Sequence, residues 1–231
     1  MSTPLFDLTL TEEQRITRES MRRLARDSLS PQARAADDAA MANPALLDAI
    51  SGFGLALMPM PEALGGVAMP RSPLSNALAV EDLAQGDMSH TLAALQPMAA
   101  VNALMDFGDE QQQERWLPAL AAETFTGAAL AVNEPRATFE PAAPATMASK
   151  DGDIYTLNGV KSLVPMAAQC EWFVVVAAID GEVTGFVVPA EAEGLSIESE
   201  PYMGLRSANM ATLTLENVAV PARDRLPGFD L

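Results

Sequence analysis

The 231-residue sequence contains one cysteine, one histidine and two lysines, and each scarcity argues against a class of site. The single cysteine, Cys170, has no second cysteine for an intrachain disulfide, and with one histidine it leaves no zinc cluster of the usual ligands. Fourteen basic residues stand against 31 acidic ones, so the formal net charge is −17. This balance argues against nucleic acid as a partner, because phosphate binding requires clustered Lys and Arg side chains.

Long apolar runs are also missing. The longest, residues 172–179, has the length of a strand and falls well short of the roughly 18 residues that a membrane-spanning helix needs. The first eleven residues lack the basic segment and apolar run of a secretory signal. We therefore predict a cytoplasmic protein without a membrane span.

The first half of the sequence, up to about residue 124, is rich in Ala, Leu, Met, Glu, Gln and Arg, which favour helices. Thr11 and Gln14 have the spacing of a capping box, in which each side chain satisfies a backbone N–H of the first turn. This pattern predicts a helix over residues 12–28 that ends before Pro31. Four further helices are predicted over residues 44–51, 72–85, 89–106 and 110–123.

From residue 127 onward the patterns become short and typical of strands. The apolar run 172–179 is bounded by the turn pair Asp180-Gly181, and a second strand is predicted over residues 183–188. The pair Asn158-Gly159 predicts a hairpin turn after residue 157. The expected fold class is α+β: an N-terminal all-helical domain over residues 1–125, followed by an antiparallel β-barrel or sandwich domain over residues 126–231.

Single reactive residues give little chemical signal. His90 follows the cap-like residue Asp87, which favours a solvated or helix N-terminal position over a catalytic base. Cys170 has no basic neighbour that would lower its thiol pKa, so we expect a partly buried, unreactive thiol. The pair Glu81-Asp82 is expected on a solvated helix face. The residues alone therefore predict no catalytic and no metal-binding residue.

Eight short segments follow one another along the chain, beginning with L-T-E-E-Q-R at residues 10–15. The first half continues with P-E-A-L-G-G at 61–66, E-D-L-A-Q-G-D-M-S at 81–89, and F-G-D-E-Q-Q at 107–112 with W-L-P at 116–118. The second half has Y-T-L-N-G-V-K at 155–161, F-V-V-P at 186–189, M-G-L-R-S at 203–207 and L-E-N-V-A-V-P at 215–221. In this order they resemble the N-terminal and middle domains of the acyl-CoA dehydrogenase family.

The resemblance implies a helical domain packed on a β-barrel, with FAD where the barrel meets a third, C-terminal helical domain. Family members remove the α-proton of an acyl thioester with a Glu base while the β-hydrogen leaves as hydride to the flavin. That base belongs to the C-terminal domain, which would lie beyond Leu231. The resemblance therefore implies part of a flavoenzyme that α,β-desaturates an acyl-CoA thioester. We expect a fragment, or a flavin-deficient subunit that needs a partner or a C-terminal domain.

The same resemblance implies that FAD contacts two loops of the β domain. The family pattern T-E-P-G-A-G-S-D aligns with residues 133–140, where Arg136 and Thr138 replace the two glycines and Phe139 replaces the serine. The pattern K-x-[WF]-I-T-N aligns with residues 161–166, where Leu163 and Pro165 replace the aromatic residue and the threonine. These changes predict weakened or absent FAD binding; the alternative is that they are divergent surface loops around an intact FAD site. The candidate cofactor-binding residues are Leu130, Val132, Asn133, Thr138, Phe139, Leu163 and Pro165.

The acyl pocket of the family lies beside the helix that begins here near Ser89. The candidate substrate-binding residues are Thr91, Leu92, Leu95 and Met98, although packing of a helical core also explains the last three. An alternative function is a non-catalytic acyl-CoA-binding or interaction module on the same fold. The expected partners are acyl-CoA and, in a homo- or hetero-oligomer, another acyl-CoA dehydrogenase subunit.

Overall fold

The structure is a computed structural model that describes residues 9–227 and 229. Seven α-helices occur first within this range: α1 Glu12–Leu24, α2 Ser30–Ala39, α3 Pro44–Ser51, α4 Pro73–Ala84, α5 Met88–Leu95, α6 Pro97–Phe107 and α7 Glu110–Trp116. Seven strands follow: β1 Gly127–Ala131, β2 Met147–Asp151, β3 Ile154–Val164, β4 Cys170–Ile179, β5 Glu182–Pro189, β6 Leu195–Ser199 and β7 Ala211–Pro221. The predicted α+β class is confirmed. Within the described range no helix combines the length and the apolar character needed to cross a membrane.

The first helix begins where its capping box predicts. The Thr11 hydroxyl accepts from the Gln14 N–H at 3.1 Å, and the Gln14 side chain accepts from the Thr11 N–H at 3.0 Å. The helix does not end before Pro31, because a π-helical turn, Ala25–Leu29, connects α1 directly to α2. Pro31 lies in the first turn of α2, where its missing N–H is tolerated.

Prolines divide two of the other predicted helices. The helix predicted over residues 89–106 is two helices, α5 and α6, which meet at Gln96 just before Pro97. The helix predicted over residues 110–123 ends at Trp116, and a 3-10 turn, Pro118–Ala121, follows it. A proline lacks the N–H that would continue the hydrogen-bond ladder, so a new element begins at each one. The predicted domain division at residue 125 falls between the 3-10 turn and β1, and it stays a prediction.

The seven strands form one mixed sheet, so the predicted antiparallel strand arrangement is wrong. The strand order is β1-β4-β2-β3-β7-β6, and β5 pairs with β4 on its other side. Both β1 and β2 run parallel to β4, whereas the other pairs are antiparallel. A parallel pair needs a long connection. Here β2 and β3 lie within the connection between β1 and β4.

The predicted hairpin at Asn158-Gly159 is also wrong, because both residues lie inside β3. The Asn158 side-chain oxygen accepts from the Asn217 N–H at 2.8 Å. Gly159 has φ +154°, and a Cβ there would lie 2.6 Å from the Thr146 Cα. The glycine is therefore needed for close approach of two chain segments and not for a turn.

One of the apolar clusters contains residues of both the helices and the sheet. Val101 and Leu104 of α6 are fully buried in the same cluster as Trp172 and Val174 of β4. Met166, which follows β3, is buried in the cluster formed by the helices. This packing holds α5 and α6 against the sheet and fixes the space between the two layers.

A buried carboxylate joins α1 to α4. The Asp82 side chain is fully buried, and it accepts from Arg18 at 2.6 and 2.9 Å and from Arg22 at 2.7 Å. Burial alone would raise the pKa of Asp82, but the two guanidinium groups outweigh that effect and lower it below its ordinary value. The predicted solvated position is therefore wrong for Asp82. The reason is that α1 covers this face of α4, whereas the neighbouring Glu81 remains exposed.

Gly86, which follows α4, provides a test of the contact with the π-helical turn. A Cβ at this position would lie 2.4 Å from the Ala25 carbonyl oxygen and 2.8 Å from the Leu29 Cβ. We expect Gly86→Ala to lower the free energy of unfolding by about 1–3 kcal/mol, since backbone atoms must move. Gly204→Ala is the matched control, because a Cβ there meets nothing within 4 Å. Thermal unfolding followed by circular dichroism compares them, and equal midpoints would contradict the prediction.

Candidate functional site

A groove opens between the helical layer and the sheet, beside α5, α6 and β1. Its cavity volume is about 380 Å³. We call it the interlayer groove, and its lining residues are Val80, Met88, Thr91, Leu92, Leu95, Gln96, Met98, Ala99, Asn102, Ala129, Leu130 and Pro165. The lining is mostly apolar, with Thr91, Gln96 and Asn102 as its polar members. None of these twelve side chains is ionisable.

The structure brings the four candidate substrate-binding residues together along this groove. They are Thr91, Leu92, Leu95 and Met98. Thr91 is buried, and its hydroxyl donates to the backbone carbonyl of Asp87 at 2.8 Å, so its oxygen could only accept from a ligand. Two of the candidate cofactor-binding residues, Leu130 and Pro165, line the same groove. The two predicted sets therefore meet at this place.

The other five candidate cofactor-binding residues lie outside the groove lining: Val132, Asn133, Thr138, Phe139 and Leu163. Asn133 and Thr138 are exposed, whereas Val132 and Phe139 are half-buried. The Phe139 ring lies 5.9 Å from the guanidinium of Arg136. Leu163 is 44% exposed on the adjoining segment. The structure thus divides this predicted set between the groove and two neighbouring loops.

The segment that contains Leu163 and Pro165 is held by contacts within the chain. The Ser162 N–H donates to a backbone carbonyl of the loop after β1 at 2.9 Å. The Met166 N–H donates to a backbone carbonyl in the segment before β7 at 3.0 Å. The Leu163 N–H donates to the Glu200 carboxylate at 3.2 Å. Pro165 has no N–H. These three backbone donors are therefore already engaged.

Two residues of this segment adopt the left-handed backbone region. Leu163 has φ +57° and Met166 has φ +52°. Residues other than glycine adopt this region at a cost of about 1–2 kcal/mol each. The Pro165 carbonyl between them accepts from the Gln96 side chain at 2.8 Å. This bond ties the strained segment of the sheet to the junction of α5 and α6.

The residues on the two loops do not fit the donor pattern through which the family contacts FAD. In the first loop, the Arg136 guanidinium donates to the Glu134 carboxylate at 2.9 Å and lies over Phe139, where the family has small residues. In the second, Pro165 offers neither a hydroxyl nor an N–H, and the Leu163 N–H is bonded to Glu200.

A buried ion pair joins the loop after β1 to strand β3. The Glu134 carboxylate accepts from Lys161 at 3.0 Å, and neither side chain is more than 2% exposed. Glu134 also accepts from the Ala145 and Thr146 N–H groups at 2.8 Å and from the Thr146 hydroxyl at 2.7 Å. Burial alone would raise the pKa of Glu134, but these bonds and Lys161 outweigh it and lower the pKa to about 2. Burial lowers the pKa of Lys161, and Glu134 offsets part of that effect.

Sequence reasoning assigned no role to Glu134 or Lys161, although both lie in segments that carry the family resemblance. A usable signal was present in β3. Lys161 has the same strand parity as Tyr155 and Leu157, and all three are buried. Because a buried lysine requires a compensating carboxylate, the alternation alone could have prompted a search for Glu134.

The single histidine, His90, is buried and connects two helix N-termini. His90 lies in the first turn of α5, as expected from its cap-like neighbours, but it is fully buried. Its Nδ1 contacts the Asp87 carboxylate, and its Nε2 accepts from the Asn43 N–H at 2.9 Å. His90 therefore links the N-termini of α3 and α5 and is absent from the groove lining.

Cys170 is more deeply buried than predicted, with 7% of its surface exposed. Burial raises its thiol pKa to about 12, although the Gln96 amide partly opposes the change. The thiol is therefore unreactive near neutral pH. Within residues 9–227 and 229, no group of three or more His, Cys, Asp or Glu side chains could hold a metal ion.

The ion pair of Glu134 generates a prediction about stability and pH. Because folding lowers the pKa of Glu134 from 4.5 to about 2, the ionised carboxylate stabilises the fold above the unfolded value. This stabilisation is lost as the pH falls through the folded value. At pH 7 we expect Glu134→Gln to lower the free energy of unfolding by about 3–5 kcal/mol, since Lys161 stays buried without a counter-charge.

Urea unfolding at a series of pH values measures both effects. The difference between the wild type and Glu134→Gln should shrink as the pH falls through the range between the two pKa values. Glu140→Gln is the control, because Glu140 is an exposed carboxylate in the same loop and should behave as the wild type does. A Glu134→Gln protein as stable as the wild type at pH 7 would rule out a stabilising ion pair.

Two family models match consecutive parts of the chain. The model for the N-terminal domain of acyl-CoA dehydrogenase matches residues 11–124, and the model for the middle domain matches residues 129–218. A probable acyl-CoA dehydrogenase of Bacillus subtilis, YngJ, is 32% identical over 231 residues. That alignment covers 96% of this chain and 60% of the relative.

Solved structures give the same result. Butyryl-CoA dehydrogenase from Megasphaera elsdenii superimposes with a TM-score of 0.85 at 26% identity, covering 96% of this chain and 60% of that chain. A glutaryl-CoA dehydrogenase from Mycobacterium smegmatis, in complex with FADH2, has a TM-score of 0.86 at 25% identity and coverages of 96% and 57%. The chain thus spans about 60% of the length of these relatives. The resemblance carried by the eight segments is confirmed, and the chain belongs to the acyl-CoA dehydrogenase family.

Proposed function

We propose that this chain is the acyl-binding part of an acyl-CoA dehydrogenase-type enzyme that acts on an acyl-CoA thioester. The observation that carries the proposal is the interlayer groove, where Thr91, Leu92 and Leu95 of α5 face the sheet together with Met98 of α6. An apolar groove with few polar groups favours an alkyl or acyl chain as its ligand. The CoA portion would then extend from the mouth of the groove.

We infer that this chain does not desaturate the thioester by itself. Removal of an α-proton requires a base within hydrogen-bond reach, and the groove lining contains no ionisable side chain. A further domain of the same protein or a partner subunit would supply that base. We also propose that the protein works in the cytoplasm, as a homo- or hetero-oligomer with another acyl-CoA dehydrogenase subunit.

We further infer that FAD binds weakly to this chain or not at all. The engaged Leu163 N–H and the absence of any donor on Pro165 support this inference, as do the bulky residues of the first loop. A partner with intact flavin loops would then carry the cofactor. The alternative, a non-catalytic acyl-CoA-binding module, shares the groove but requires no such partner.

Binding experiments on the purified chain test the proposal directly. After incubation with excess FAD and desalting, we expect the visible flavin absorption to be lost, whereas isothermal titration with hexanoyl-CoA should show saturable binding. Leu95→Lys should weaken thioester binding at least about tenfold, because it places a charge in an apolar groove. Leu74→Lys is the matched control, since Leu74 is 53% exposed on α4 and lies outside the groove.

The outcomes separate the two parts of the proposal. Flavin retained after desalting would contradict the inferred flavin deficiency. No heat with hexanoyl-CoA, or equal binding by both lysine variants, would contradict acyl binding in the groove. Circular dichroism of each variant shows whether it is folded. Co-purification with an acyl-CoA dehydrogenase subunit, followed by a dehydrogenation assay, distinguishes the two functions. An active complex would support the enzyme part, whereas an inactive one, or no complex, would support the non-catalytic module.

The flavin loops allow a gain-of-function test. The double variant Leu163→Trp with Pro165→Thr restores the aromatic residue and the hydroxyl of the family pattern. We expect it to raise FAD affinity by roughly tenfold or more, from one added hydrogen bond and one aromatic contact. Quenching of flavin fluorescence measures the affinity. Ala137→Ser is the control, because this chain already agrees with the family pattern there, and an unchanged double variant would show that these two positions do not limit binding.

A further inference from the structure

Two amide side chains of the interlayer groove have oxygens that accept no hydrogen bond from the described residues. They are Oε1 of Gln96 and Oδ1 of Asn102, and both atoms are buried. Gln96 itself is only 7% exposed. Both residues line the groove, where the neighbouring side chains are apolar.

The orientation of the Gln96 amide is determined by its neighbours. Its Nε2 donates to the Pro165 carbonyl at 2.8 Å and lies 2.9 Å from the Cys170 sulfur. A backbone carbonyl can only accept, so the nitrogen and the oxygen of this amide cannot exchange places. The Gln96 oxygen is therefore a fixed acceptor without a donor.

A purely apolar ligand would suit this lining poorly. An acyl chain in the groove offers neither buried amide oxygen a donor, and a buried acceptor without a donor is destabilising. A ligand that places a hydroxyl or an N–H near these oxygens would satisfy them. A site with buried polar groups strongly rejects ligands that lack the matching hydrogen-bonding group. An apolar pocket rejects a ligand with an added hydroxyl much more weakly.

We propose that the interlayer groove selects acyl thioesters whose acyl chain carries a hydrogen-bond donor, a hydroxyl or an N–H. Gln96 and Asn102 are the acceptors, and the apolar residues on α5 contact the hydrocarbon part of the chain. The proposal rests on the proposed function, in which the acyl group occupies this groove. It adds the chemical class of that acyl group.

A panel of matched thioesters tests the proposal on the full chain by isothermal titration. The panel contains hexanoyl-CoA, 4-acetamidobutyryl-CoA and a series of hydroxyhexanoyl-CoA analogues. Each analogue carries a single hydroxyl, at a different carbon beyond the α-carbon. At least one donor-bearing thioester should bind roughly tenfold more tightly than hexanoyl-CoA, as expected for one buried hydrogen bond. The hydroxylated analogues and the acetamido compound distinguish a hydroxyl from an N–H as the preferred donor.

Side-chain variants assign the preference to the two amides. Asn102→Leu removes one acceptor without disturbing the Gln96 contacts, and Gln96→Met removes the other. Each should bring the affinity of the preferred thioester closer to that of hexanoyl-CoA. Asn76→Leu is the matched control, since Asn76 lies on α4 outside the groove and should leave the preference unchanged.

The results separate this proposal from the proposed function. Equal affinities across the panel, with saturable binding of hexanoyl-CoA, would overturn donor selection and leave acyl binding in place. A preference that survives both Asn102→Leu and Gln96→Met would also overturn it, because the acceptors would then lie elsewhere. Absence of binding by every thioester would overturn both.

Discussion

The buried ion pair between Glu134 and Lys161 is the constraint on which the loops beside the groove depend. Lys161 projects from β3, and Glu134 lies in the loop after β1, so the pair joins two segments that are far apart in the sequence. Two backbone N–H groups, a hydroxyl and the Arg136 guanidinium also donate to the carboxylate. A fully satisfied buried charge of this kind holds irregular segments in one geometry. Leu163 can therefore keep a left-handed backbone two residues after Lys161.

The groove depends on a second contact between the layers. Pro97 ends the hydrogen-bond ladder of α5, and Gln96 at that junction reaches across to the Pro165 carbonyl of the sheet. The shared apolar core beneath it, formed by α6 and β4, keeps the two layers at a fixed separation. One break in a helix thus determines both the position of the groove and the direction of its polar amide.

The interlayer groove and the loops beside it are built from residues of different character. The residues expected to contact an acyl group remain together on α5 and α6, whereas the loops expected to contact FAD carry bulky or donor-free residues. The two regions are held by different interactions, apolar packing in one and the Glu134 carboxylate in the other. A substitution in one region can therefore leave the other intact, as the proposed thioester-binding, flavin-deficient subunit requires.

The sequence by itself determined the order of helices before strands, the capping box at Thr11 and, through eight ordered segments, the family. These features are local, because caps, apolar periodicity and short motifs involve residues close together in the chain. Only the tertiary structure decided that β1 runs parallel to β4, that Asp82 is buried against α1, and that Lys161 meets Glu134. Strand direction and the burial of a charge depend on segments distant in the sequence, and local patterns do not encode which segments will meet. The convergence of Thr91, Leu130 and Pro165 on one groove was decided in the same way, by the packing of a helix pair on a sheet edge.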